Sequence, residues 1–199
     1  MGWVRSLTRV ARFCARGSGL LTDIIASQGF LFMLILTIAC AVVMVVPALA
    51  ADHDFQATFL PHWLTAKTFT LAVAEAMPAE FYNFKPNPEE LSFGDLMSHI
   101  ADDNSTMCAR VARTNPLTPP ATKGKQEVIE YMTRSFDKCA QEIAALTPEG
   151  WSREAYRYKN KPIYAQEALL YAFTHTAHHR GQAEVYLRVK NIKPPAWSF

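Results

Sequence analysis

Prolines divide this chain into stretches that leave room for little except helices. Pro78, Pro86 and Pro88 form one break, Pro116, Pro119 and Pro120 a second, Pro148 a third, and Pro194-Pro195 closes the last stretch. A proline lacks the donor that a helix interior requires and turns the preceding residue away from helical angles. Between the breaks, apolar residues recur at spacings of three and four. The first stretch runs from about Phe55 to Met77 through Phe59, Trp63, Ala66, Thr70 and Val73. Pro61 suits a first turn, so this helix is expected to begin either at Phe55 or at Pro61. The second opens at Ser92, with Asp95 three residues on, and continues through Leu96, Ile100, Met107 and Val111. The third covers about Gly124 to Leu146, with Val128, Tyr131, Met132, Ser135, Phe136 and Cys139 along one side, and Pro148-Glu149-Gly150 stops it. The fourth starts near Pro162, passes Leu169, Phe173, Val185 and Leu187, and ends at Lys190-Asn191. No segment alternates with period two, so no strand is expected. The fold class is all-α, a four-helix bundle, whose long first and last connections leave room for crossovers.

The first 50 residues read differently. Arg5, Arg9, Arg12 and Arg16 precede an apolar run at 30–46 broken only by Thr37, and Ala48-Leu49-Ala50 follows. A basic region, an apolar region and a small-x-small site in that order predict a secretory signal peptide over 1–50. The alternative is an uncleaved N-terminal membrane anchor, since a 17-residue run approaches the roughly 20 residues that span a bilayer. Both place the domain at 51–199 outside the cytoplasm, in the periplasm or secreted; residues 30–46 are its only membrane contact, and only if the leader is uncleaved. Of 20 basic and 18 acidic residues, four and one lie in the leader, leaving 16 against 17. The domain is thus nearly neutral and has no basic stripe, so nucleic acid is not an expected partner. Cys108 and Cys139 remain after cleavage. Either they form a disulfide, as an oxidising compartment permits, or they are two small buried apolar residues.

The chemistry concentrates in Thr174-His175-Thr176-Ala177-His178-His179-Arg180-Gly181-Gln182. On a helix, His175 and His179 lie one turn apart on one face and can close on a single ion. Tyr171, Gln182 and Tyr186 extend that stripe with polar and aromatic groups where a bundle helix ordinarily presents Leu or Ile. Gly181 costs about 1 kcal/mol relative to Ala in a helix interior, an expense that close approach of a ligand or another helix would explain. A third imidazole is available at His99. Three neutral imidazoles suit zinc, nickel, copper or ferrous iron, with positions left for water or substrate. Asp103, one turn after His99, can orient an imidazole from behind. The bland alternative is a polar helix surface, and His178, three residues from His175, also shares a face with it. His175 is followed by Thr176 rather than Glu, so a zinc-peptidase His-Glu-x-x-His is excluded. No Glu-x-x-His, G-x-S-x-G or phosphate loop occurs either.

The run His175-x-x-x-His179-Arg180-Gly181-Gln182, followed by Tyr186-Leu187-Arg188 and Ile192-Lys193-Pro194-Pro195, resembles the fourth helix of the DinB/YfiT-like family. So does the earlier run from Ala76-Met77-Pro78 through Phe81-Tyr82-Asn83-Phe84-Lys85-Pro86, with Ser92-Phe93-Gly94 and His99 after it. The similarity spans about residues 55–195. It implies a four-helix bundle that binds one divalent transition metal (zinc, nickel, iron or manganese) through His99, His175 and His179. His178 falls where the family does not require histidine and reads as an outer neighbour or surface residue. Relatives use the metal to activate a low-molecular-weight thiol, and some family members dimerise, so a homodimer is an expectation here too. An exported chain departs from those relatives, because cytoplasmic thiols are neither reduced nor abundant outside the cell.

Three readings stay open at this point. A metal-dependent transferase or hydrolase acting on a small molecule predicts an open coordination position and a pocket lined by Tyr171, Gln182 and Trp63. A non-catalytic metal- or ligand-binding module predicts a closed site with Asp103 or His62 as fourth ligand. A purely structural domain predicts His99 away from the His175–His179 pair.

Overall fold

The computed structural model describes residues 55–197; the predicted signal or anchor at 1–50 lies outside them. Four long helices make the body: α1 (Phe55–Ala76), α2 (Phe93–Ala112), α3 (Lys125–Ala144) and α5 (Ala165–Val189). A 3-10 turn at Ala79–Phe81 follows α1, and a five-residue helix α4 (Pro148–Ser152) and a hairpin of β1 (Glu154–Tyr158) and β2 (Lys161–Tyr164) precede α5. α1 begins at the earlier of the two expected starts, and Pro61 lies inside it, where its missing N–H removes one intrahelical bond. At α2 the Ser92 hydroxyl accepts from the Asp95 N–H at 3.1 Å and donates to the Asp95 carboxylate at 2.6 Å, a variant of the capping box. α5 closes with Asn191 at φ 59°, Asn191 N–H donating to Arg188 O and Ile192 N–H to Leu187 O, the paired bonds of a Schellman end.

The bundle runs in the ring order α1, α3, α2, α5, so that α1 packs on α3 and α5, and α2 on α3 and α5. α1 and α2 are therefore diagonal partners, as are α3 and α5. The first and last connections cross those diagonals, as their length allows. The core is aromatic at its centre: Trp63 lies fully buried between Phe59 and Phe136 and donates its indole N–H to the Phe136 carbonyl at 3.2 Å. In the first connection, Tyr82 is buried and donates to the Ala74 carbonyl at 2.8 Å, while Phe81 and Phe84 pack against the core's edge. Arg180, nearly buried, lays its guanidinium 4.3 Å from the Phe69 ring centroid and donates to Thr70 Oγ1, tying α5 to α1.

Two expectations are corrected here, and one open choice is resolved. The expectation of no strand does not hold: the connection before the last helix contains α4 and the hairpin. Lys159 and Asn160 both adopt positive φ, 47° and 65°, the two-residue connection that matches strand twist. Pro162 consequently sits in β2 opposite Arg157, tolerable in a two-stranded sheet with free edges, and α5 starts at Ala165. Gly181 is exposed, and among the described residues a Cβ there would meet no atom within 4 Å and no other helix approaches it closely. Of the two cysteine readings, the disulfide is the one observed: Cys108 and Cys139 are joined, Cα to Cα 5.3 Å, linking α2 to α3.

Candidate metal centre

Because α2 and α5 are neighbours in the ring, His99 faces the one-turn pair on α5. Its ring centroid lies 5.0 Å from that of His175 and 4.8 Å from that of His179, and the pair is 4.3 Å apart. One ligand atom from each of the three falls within 4.8 Å of the others, and all three side chains remain partly accessible. Beside them Thr176 donates to Asn104 Oδ1 at 3.0 Å in a fully buried contact, which pins α5 to α2 in register at the site.

The backs of the rings are fixed. His179 Nδ1 is 2.6 Å from Gln182 Oε1; a carbonyl oxygen only accepts, so Nδ1 carries the proton and Nε2 keeps its lone pair. His175 Nδ1 faces Asp103 Oδ2 at 3.2 Å, and neither atom has a hydrogen-bond partner elsewhere among the described residues. A proton on that nitrogen likewise frees Nε2. The two Nε2 atoms meet at 3.0 Å; with the proton of each ring on Nδ1 they present lone pair to lone pair, an arrangement that suits a cation between them. Tetrahedral nitrogen ligands at about 2.0–2.1 Å from zinc stand roughly 3.3 Å apart, close to the observed spacing. The donor set therefore fits a divalent transition metal.

Burial pulls the His175 pKa from 6.5 down to about 4, with the neighbouring His179, His99 and His178 adding to the effect. His179 is also lowered, chiefly by burial and against the bond to Gln182. Asp103 is raised by burial, while His99 and Arg110 pull it back. Both imidazoles are thus held neutral near pH 7, the form that ligates metal.

Tyr171 stacks on His175, centroids 5.4 Å apart at 25°. His178 is exposed and touches the site only through an edge contact with His179 at 4.9 Å. Trp63, expected in the pocket, is instead a core residue, its polar N–H used on the Phe136 carbonyl. Its place in the apolar stripe of α1 faces it into the bundle. His62 lines a separate cavity of about 130 Å³ with Arg180 and Trp197, and Asp103 stands behind His175 rather than among the converging ligand atoms.

Sequence reasoning missed a larger cleft. About 430 Å³ in volume, it lies between Met107 and Arg110 of α2, the hairpin residues Tyr156, Tyr158 and Ile163, and Glu167 and Tyr171 of α5. Tyr171 belongs both to this cleft and to the histidine cluster. The available signal was Tyr156-Arg157-Tyr158 ahead of Lys159-Asn160, alternation too short to stand out beside the helices.

Residues 63–183 match the profile of the DinB superfamily. Among solved structures, a DinB-like protein from Bacillus subtilis is 20% identical, with TM-score 0.60 over 70% of this chain and 96% of that one. A DinB-like protein from Bacillus cereus gives 15% identity and TM-score 0.61, covering 70% and 95%. A conserved protein from Enterococcus faecalis gives 17% and 0.56, covering 69% and 96%. At these identities the likeness is one of fold. No curated protein matches.

Proposed function

This chain belongs to the DinB superfamily, and from that premise we propose that it is an exported metalloenzyme holding one divalent transition metal through His99, His175 and His179. The observation that carries the reading is the convergence of two Nε2 atoms at 3.0 Å, with His179 Nδ1 bonded to Gln182 and His175 Nδ1 facing the Asp103 carboxylate at 3.2 Å. His99 completes the set from α2. Among the described residues no fourth His, Cys, Asp or Glu joins the group, which favours a centre with positions for an exogenous ligand over a closed structural site. A cation bound there supplies Lewis acidity, lowering the pKa of a coordinated thiol or water. Asp103 and Gln182 orient the rings and keep their tautomers, and Tyr171 shields one side of His175. Thiol transfer and hydrolysis are the two reaction types consistent with that chemistry. Export is supported by the pattern of residues 1–50 and by the Cys108–Cys139 disulfide, since such bonds persist mainly in oxidising compartments.

Metal content by mass spectrometry tests the centre. About one equivalent of a transition metal in the purified protein, lost in His179→Ala, is expected. No metal in either, even after incubation with zinc, nickel and manganese, would sink the assignment.

A further inference from the structure

The cleft beside the centre has walls that the metal does not need. Tyr156 and Tyr158 are brought there by a hairpin that contributes nothing to the histidine cluster, and Tyr171 is 44% exposed with its ring toward the cleft. Ile163 and Met107 fill the remaining apolar wall. Its volume lies within the range of small-ligand sites, about 300–1,000 Å³, and tyrosine faces on more than one side suit a flat π-system.

Arg110 gives the cleft its sign. Its guanidinium carbon lies 4.7 Å from the Tyr156 ring centroid, held against the wall, and no carboxylate comes within ion-pairing distance of it among the described residues. Glu167 also lines the cleft, but it stands in the first turn of α5, where the helix N-terminus already favours a carboxylate. It therefore does not require a cationic ligand. Arg110 follows Asp103 by seven residues on α2, about 10 Å of helix, which is the reach of an aromatic ring with a short carboxylate arm.

We propose that this cleft binds a planar aromatic carboxylate, its ring against Tyr156 and Tyr171 and its carboxylate on Arg110. The other end of such a ligand points to the three imidazoles. That it meets a metal there rests on the centre proposed above; that it binds in the cleft does not. An aryl acid with a short side arm is the substrate class this assigns.

The test titrates trans-cinnamate, cinnamamide and hexanoate into the purified full-length protein by calorimetry, in chelator-treated and zinc-loaded forms, with zinc stoichiometry measured separately. Cinnamate is expected to bind more tightly than its neutral amide and than the ring-free acid. Arg110→Met should weaken cinnamate about tenfold or more, as loss of a charge-assisted contact does, and leave cinnamamide unchanged. Glu167→Gln should tighten cinnamate by removing a like charge, and it leaves the Arg110–Tyr156 contact that holds the hairpin untouched. Cinnamate no tighter than both controls, or weaker binding in Glu167→Gln, overturns the proposal. Zinc bound at one equivalent without cinnamate binding defeats this inference alone. Cinnamate bound by a protein that takes up neither zinc nor, in parallel incubations, nickel or manganese defeats the metal centre alone.

Discussion

His175 Nδ1 lies 3.2 Å from Asp103 Oδ2, a carboxylate one helical turn beyond His99 on the opposing helix. One short segment of α2 thus provides both an imidazole for the front of the site and an orienting group for the back of another. Carboxylates behind ligating imidazoles fix the tautomer and raise ligand basicity, and their loss typically costs about 10–100-fold in metal affinity. Asp103→Asn is expected to keep the helical far-UV signal while weakening zinc by about that factor, read by competition against a chromophoric chelator. Unchanged affinity would remove Asp103 from the site's chemistry.

The His175 pKa gives a pH prediction with a definite sign. Burial, then His179, His99 and His178, bring it to about 4 in the folded protein against 6.5 for the ordinary ring. Between those values the unfolded chain binds more protons, so this residue makes the metal-free protein less stable as pH falls from about 6.5 to about 4. His179, also lowered by burial, acts in the same direction. Asp103, raised by burial, acts oppositely, losing stability as pH rises above the usual carboxylate range. Ring-proton NMR of the metal-free protein should show His175 titrating near 4. A midpoint near 6.5 would mean that its surroundings are far wetter than the packing with Asp103 and Tyr171 implies.

The helices and the His175–His179 pair were legible in the chain because both depend on local periodicity. Ser92 with Asp95 marks one start, Asn191 one end, and His175 and His179 share a face whatever the tertiary context. What pairs His99 with them is the ring order of the helices, and periodicity is silent about that; the residues offered His99 as an available third imidazole, and the family resemblance joined it to the pair. The hairpin escaped notice because each strand is five residues or fewer and Pro162 resembles a helix start. Arg110, Tyr156 and Tyr158 were therefore invisible as a group. Trp63 shows the converse: an aromatic at helical spacing reads equally as core or pocket until a partner such as Phe136 is placed against it.

The disulfide makes a separate prediction about stability. Cys108 and Cys139 are 31 residues apart, and closing a loop of that size in the unfolded chain corresponds to about 3–4 kcal/mol in the chain-entropy treatment. Both sulfurs are buried in the α2–α3 contact, so Cys108→Ala with Cys139→Ala also leaves a small void. The double variant should unfold at lower denaturant, by at least about 2 kcal/mol, while retaining metal, since neither cysteine touches the imidazoles. Equal midpoints with and without reductant in the parent would show that the bond does not form in solution.

Gly181 offers a prediction in the opposite direction. It sits between Arg180, which reaches into the core, and Gln182, which holds His179, so a reader of the motif expects it to be there for space. Yet its backbone is ordinary helix with no positive φ, and a Cβ would point into open surroundings. Glycine in such a place is disfavoured against alanine by about 0.5–1 kcal/mol, mostly through the freedom of the unfolded chain. Gly181→Ala should therefore raise the midpoint of thermal unfolding by roughly 2–4 °C, the shift such an increment gives in a domain of this size, with metal affinity unchanged. A lower midpoint, or a change in oligomeric state by light scattering, would mean that this surface is covered in solution by another chain, and that the glycine is there for that contact.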